Sequence, residues 1–196
     1  MKKFLITIIT ALSTFCAFAQ PADISLEDNL KTPVVPEKNR TQVQAYMRKE
    51  AENLVKAGYH VETMRKGQIV IVTIPTDPLF PPNDSTLNIT SANKLLKPLA
   101  AYLRVRDRYK VLMAVHTDDT GSPAYTESLA ESRVHAIYDY LDKIAGDNYD
   151  ITAYPVGQAM PEVPNTSRAA REKNRMIEFY IVPDKELIQT LAKRSR

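Results

Sequence analysis

Seven residues, Lys110 to His116 (KVLMAVH), constrain this chain more than any other stretch. Val111 to Val115 are all apolar, with no alternation and too little length for an ordinary helix. A run that short and that uniform reads as a strand covered on both faces, or central in its sheet. The rest of the chain then has to supply partner strands and packed helices. Strand patterns at Ile69–Ile74, DITAYPV and MIEFYIV alternate with helical ones, which indicates an α/β or α+β domain with helices on a sheet. The expectation is a mixed four-stranded sheet with helices packed mainly on one face.

The segment after the apolar strand, HTDDTGSPAYTESLAESR (116–133), reads as a strand end, a polar loop and the start of an amphipathic helix. Ser122-Pro123 is a good N-cap and first-turn pair, and the helix is expected to run to about Ile144. On an ideal wheel with Tyr125 at zero, Ala136, Leu129, Tyr140, Arg133 and Ile137 fall between about 20° and 120°. Glu127, Glu131 and His135 fall opposite. Arg133 therefore sits within the apolar stripe. Its guanidinium must either snorkel past the edge or meet a fixed anion, because an unpaired desolvated cation is costly. Asp118 and Asp119 are the nearest candidate partners in sequence.

Thr41 opens a helix through a capping box with Gln44, with Val43, Met47, Ala51, Leu54 and Val55 on one stripe and Gly58 at its end. A hairpin follows, turning at Lys66-Gly67. A second helix, TSANKLLKPLAAYLR, is interrupted by Pro98, which removes a backbone donor and should kink or delay it. Residues 20–40 contain three prolines and little periodicity, as an extended linker would. Residues 184–196 read as a short basic helix.

Lys2 and Lys3, an apolar run to Phe15 and Ala17-Phe18-Ala19 form a signal peptide, so residues 1–19 are expected to be removed on export. Phe15 before Cys16 argues against a lipidation site. Cys16 is the single cysteine, so the exported chain has no thiol for catalysis, a disulfide or a metal. Without the two signal lysines, 24 basic residues stand against 23 acidic ones, too even a balance to suggest nucleic acid. Ser122, Ser128 and Ser132 lie in neither G-x-S-x-G nor S-x-x-K, and the three histidines show no metal-ligand spacing. The expectation is a binding protein without catalytic residues, cofactor or metal.

Two ordered blocks sharpen this. Val115-His116-Thr117-Asp118, Gly121, Tyr125-Thr126, Leu129-Ala130 and Arg133-Val134 form the first; Gly157, Pro161, Asn165, Ala170-Arg171 and Asn174-Arg175-Met176-Ile177-Glu178 form the second. Together with LFPPNDSTLN upstream, they resemble the OmpA-like peptidoglycan-binding domain of outer membrane protein A, peptidoglycan-associated lipoprotein and motor stators. The resemblance covers about Gly67 to Val182. Residues 41–66 are then the N-terminal helix and hairpin strand read above, and the resemblance implies 67–183 as the OmpA-like domain. It also implies non-covalent binding of the diaminopimelate of the peptidoglycan stem peptide by a periplasmic protein that anchors envelope components, with outer-membrane proteins as further partners. Asp118 and Arg133 would hold the zwitterion, Asn83, Thr117 and Thr126 would line it, and Arg171 would lie close by. Thr126 and Ala130 stand where the family has asparagine and serine. The competing expectation is therefore an adaptor that keeps the fold without the ligand.

Overall fold

A computed structural model describes residues 24–104, 108–145 and 151–194. The signal-peptide segment lies outside these residues. The elements are α1 (Leu26–Leu30), α2 (Arg40–Lys56), β1 (His60–Met64), β2 (Ile69–Pro75), α3 (Ile89–Leu95), α4 (Ala100–Leu103), β3 (Tyr109–His116), α5 (Pro123–Ala145), β4 (Ile151–Gly157), α6 (Arg168–Asn174), β5 (Met176–Pro183) and α7 (Lys185–Arg194).

The sheet is mixed and has the order β1-β2-β5-β3-β4. β3 lies parallel to β4 and antiparallel to β5, and the other pairings are antiparallel. The apolar run of β3 is thus interior, as expected. The fold class is the expected one, but the sheet has five strands rather than four. The extra one is β1, the hairpin strand outside the matched segment. Its pairing with β2 extends the sheet through a turn in which Arg65, Lys66 and Gly67 all take positive φ.

Alternation along the strands splits the core. Val111, Met113 and Val115 of β3 join the main core with side chains from α2, α5 and α7, while Leu112 and Ala114 face the other side. That second face carries Ile69, Ile71, Tyr180 and Val182, and α1 covers it through Leu26 and Leu30. Residues 24–40 therefore do not form the extended linker that their prolines suggested. Ser25 caps α1 by accepting from the Asp28 N–H, and its leucines at i and i+4 share one face. The Arg65 guanidinium donates to the Leu30 and Pro33 carbonyls, and the Lys110 ammonium donates to Asn29 and Thr32, fixing the strap on the sheet. Burying the six strand residues of this face outweighs the extended preference of the prolines.

Helix boundaries follow local chemistry with three adjustments. Thr41 lies inside α2, whose N-cap is Asn39, and no side-chain capping bond forms there. Val55 is 56% exposed rather than in the stripe. Pro98 splits the second helix into α3, a 3-10 turn over Lys97–Leu99, and α4.

Candidate functional site

β3 ends at His116, and its next two residues, Thr117 and Asp118, stay buried at the sheet rim. Ser122 then caps α5, its hydroxyl accepting from the Tyr125 N–H at 3.2 Å. Opposite, the loop after β2 is pinned by buried Leu79 and Phe80 and closed by Asn88 N–H donating to the Leu79 carbonyl at 2.8 Å. α6, which periodicity did not reveal, starts at Ser167, whose hydroxyl accepts from Ala170 N–H. It delivers Arg175 to the same rim. Between these pieces lies a cavity of about 380 Å3.

Five of the six expected site residues, Asn83, Thr117, Asp118, Thr126 and Arg133, line this cavity. Arg171 does not. Its Nε donates to Asp119 Oδ1 at 2.7 Å, and the cationic wall is instead made by Arg168 and Arg175. Asp77, also outside the expected set, completes the wall.

Arg133 is 4% exposed and makes no ion pair with Asp118, against the pairing their closeness in sequence suggested. Its Nε donates to the Asp84 carbonyl at 3.0 Å, Nη2 reaches the Pro81 carbonyl at 3.5 Å, and its guanidinium lies over the Phe80 ring, 5.0 Å from the centroid. Carbonyl dipoles and an aromatic face thus make the buried cation tolerable. Burial lowers its pKa, with the nearby Asp77 charge opposing; it stays cationic at neutral pH. Nη1 makes no hydrogen bond among the described residues, which leaves donors for a ligand.

The counter-charge of Asp118 is Arg175, Nη1 to Oδ2 at 2.8 Å, while Oδ1 accepts from the Thr120 N–H at 2.8 Å. Burial pushes the Asp118 carboxyl up, but the bonds from Thr120 and Arg175 outweigh it and hold the carboxyl below its usual range. Arg175 also clamps Asp77 through two bonds, of 2.7 and 2.6 Å. This fork, more than any other group, keeps its pKa raised. Sequence reading named Arg175 only as part of a motif; its two carboxylate partners lie 57 and 98 residues away, so no local signal marked it.

The hydroxyl of Thr126 is engaged on both sides: it donates to the Pro123 carbonyl at 3.0 Å and accepts from Gln158 at 3.1 Å. Thr117 Oγ1 is buried without a hydrogen-bond partner among the described residues, an unusual state for a cavity-lining hydroxyl. His116 faces the other side of the sheet, its Nε2 3.0 Å from Glu178, so it is a hydrogen-bonded strand-end histidine outside the cavity. Asn174 is fully buried and bonds Val163 N–H, the Val163 carbonyl and Asn165, which gives it a turn-stabilising role. The cavity thus presents a desolvated guanidinium and a carboxylate that are not paired with each other, suited to a ligand carrying both an anion and a cation.

Residues 79–175 match the model of the OmpA family. The outer-membrane lipoprotein YfiB of Pseudomonas aeruginosa is 33% identical over 103 residues, 53% of this chain and 61% of that protein. The peptidoglycan-associated lipoprotein of Buchnera aphidicola is 26% identical over 174 residues, 88% of this chain and 92% of that protein. A MotB-like protein of Desulfovibrio vulgaris shares the fold, with a TM-score of 0.62 at 21% identity over 75% of this chain and 99% of that one.

Proposed function

The chain carries an OmpA-family segment at residues 79–175, and on that premise we propose that it binds the peptidoglycan stem peptide non-covalently and anchors envelope components to the wall. One observation carries the reading: Arg133 and Asp118 face one cavity, each held by other groups, so neither neutralises the other. The diaminopimelate end is a zwitterion. Its ammonium takes the lone pairs of Asp118 that Thr120 and Arg175 leave open, and its carboxylate takes the free guanidinium donors of Arg133. The partnerless hydroxyl of Thr117 supplies a further bond, with Asn83 and Thr126 at the wall. Arg171 is spent on Asp119 and contributes at a distance. No bond is made or broken, so the activity is binding rather than catalysis. The location proposed with it is the periplasm, in association with the outer membrane; the name of the YfiB relative puts that protein at the outer membrane.

The test is sedimentation with insoluble peptidoglycan. Asp118→Ala and Arg133→Ala are each expected to leave the protein in the supernatant while the folded far-UV spectrum persists. Undiminished pull-down by both would sink the assignment. A second reading, an adaptor that has lost the ligand, is favoured by the engaged hydroxyl of Thr126 where the family has an amide. Absence of heat on titrating a diaminopimelate-containing peptide into folded wild-type protein would select it.

A further inference from the structure

A second concavity, of about 900 Å3, lies at the other end of β3. The strand begins at Tyr109 and Lys110 beside it and ends at His116 beside the Asp118–Arg133 cavity. Eight extended residues, roughly 25 Å, therefore separate the two. The groove is walled by the strap from Asn29 to Asn39, by Lys110, and by α7 with Asp184 before it.

Its charge is one-sided. Four lysines, Lys38, Lys110, Lys185 and Lys193, stand against the single carboxylate of Asp184. Lys110 is used up by Asn29 and Thr32, and Asp184 accepts from the Lys185 backbone N–H. The ammonium groups of Lys38, Lys185 and Lys193 form no ion pair among the described residues. The floor is apolar, from Pro33, Pro36 and Ile188, and Val34 stands 72% exposed at its lip. A second, independent feature is Asn39. It is 7% exposed, occupies the N-cap position of α2 without making a capping bond, lines the groove, and its side-chain amide has no partner among the described residues. Its amide atoms reach the solvent of the groove, where a ligand can bond them in place of water.

We infer that this groove docks an acidic segment of a partner protein. Carboxylates meet Lys38, Lys185 and Lys193, the Asn39 amide bonds the segment, and an apolar side chain packs on Val34 and Ile188. The cations ring a hollow, which suits a peptide; a bilayer surface favours cations on a flat or convex face with apolar groups projecting from it. With the two sites at opposite ends of one strand, the molecule can hold the wall at one end and a partner at the other. The groove does not depend on the reading of the first cavity.

The probe is a fluorescein-labelled peptide of alternating Glu and Leu, followed by anisotropy with the full chain at low salt. Saturable binding is expected, weakened by at least about tenfold in the triple variant Lys38→Glu, Lys185→Glu, Lys193→Glu, and weakened also in Asn39→Ala. Added salt should lower the affinity. Both variants should still sediment with peptidoglycan, and Asp118→Ala should still bind the peptide, which separates failure at one end from failure at the other. Equal affinity for the charge-reversed variant, or equal binding of a Gln/Leu peptide, overturns the proposal. So does association with phosphatidylglycerol vesicles in place of the peptide.

Discussion

Arg133 and Asp118 differ in what their burial costs. Asp118 has a charged partner in Arg175, whereas Arg133 has carbonyls and a ring. Replacing a buried cation by an apolar side chain of similar length removes its desolvation cost. Arg133→Met is therefore expected to unfold at the same or a higher urea concentration than wild type, yet to lose peptidoglycan sedimentation. A large drop in the midpoint would mean that the carbonyl cage depends on the guanidinium. Asp118 carries a pH signature instead. Its folded pKa is depressed below the ordinary 3.8, so its contribution to stability is complete above that value and is lost as the pH falls through the folded pKa. The difference in melting temperature between wild type and Asp118→Asn should be constant near neutrality and close below about pH 4.

Helix α5 is rotated relative to its sequence wheel. The buried residues Thr126, Ala130, Arg133, Val134, Ile137, Tyr140 and Leu141 span about 60° to 180°, while Tyr125 is 42% exposed. The stripe was judged by hydrophobicity, which weights Tyr125 and ignores Thr126. The close approach of β4 decides the real orientation. Gly157, at φ 58°, sits against the first turn of α5, where an added Cβ would lie 3.0 Å from Glu127 N and 3.1 Å from Thr126 C. Both contacts are backbone and cannot yield cheaply. The same glycine's carbonyl accepts from Thr117 N–H at 2.9 Å, so one contact sets two cavity walls. Gly157→Ala is expected to cost about 1–3 kcal/mol in urea unfolding, from both strain and overpacking, and to weaken sedimentation. An unchanged midpoint would show that α5 can move aside.

The whole molecule is built around a sheet whose second face is closed by its own N-terminal strap. Leu30 packs there with Ile69, Ile71, Leu112 and Tyr180. Leu30→Ala should lower stability by about 2–3 kcal/mol while leaving sedimentation intact, because that face is remote from the cavity. The fold class, the interior place of β3, the start of α5 and the presence of an arginine in a core-facing stripe were all legible, since each rests on local periodicity or capping. The first motif block and the upstream LFPPNDSTLN stretch likewise brought five of the cavity's residues into view. The strap, the fifth strand, the α5 rotation and the Asp77–Arg175–Asp118 fork were not. Each depends on contacts between segments tens of residues apart, which period and propensity do not encode. Local chemistry therefore put a guanidinium in a core-facing stripe near an acidic loop, and left open whether it would snorkel or be buried. Tertiary packing decided that the two charges would be held apart, Arg133 by carbonyls of the loop after β2 and Asp118 by Arg175, so that both stay available to one cavity.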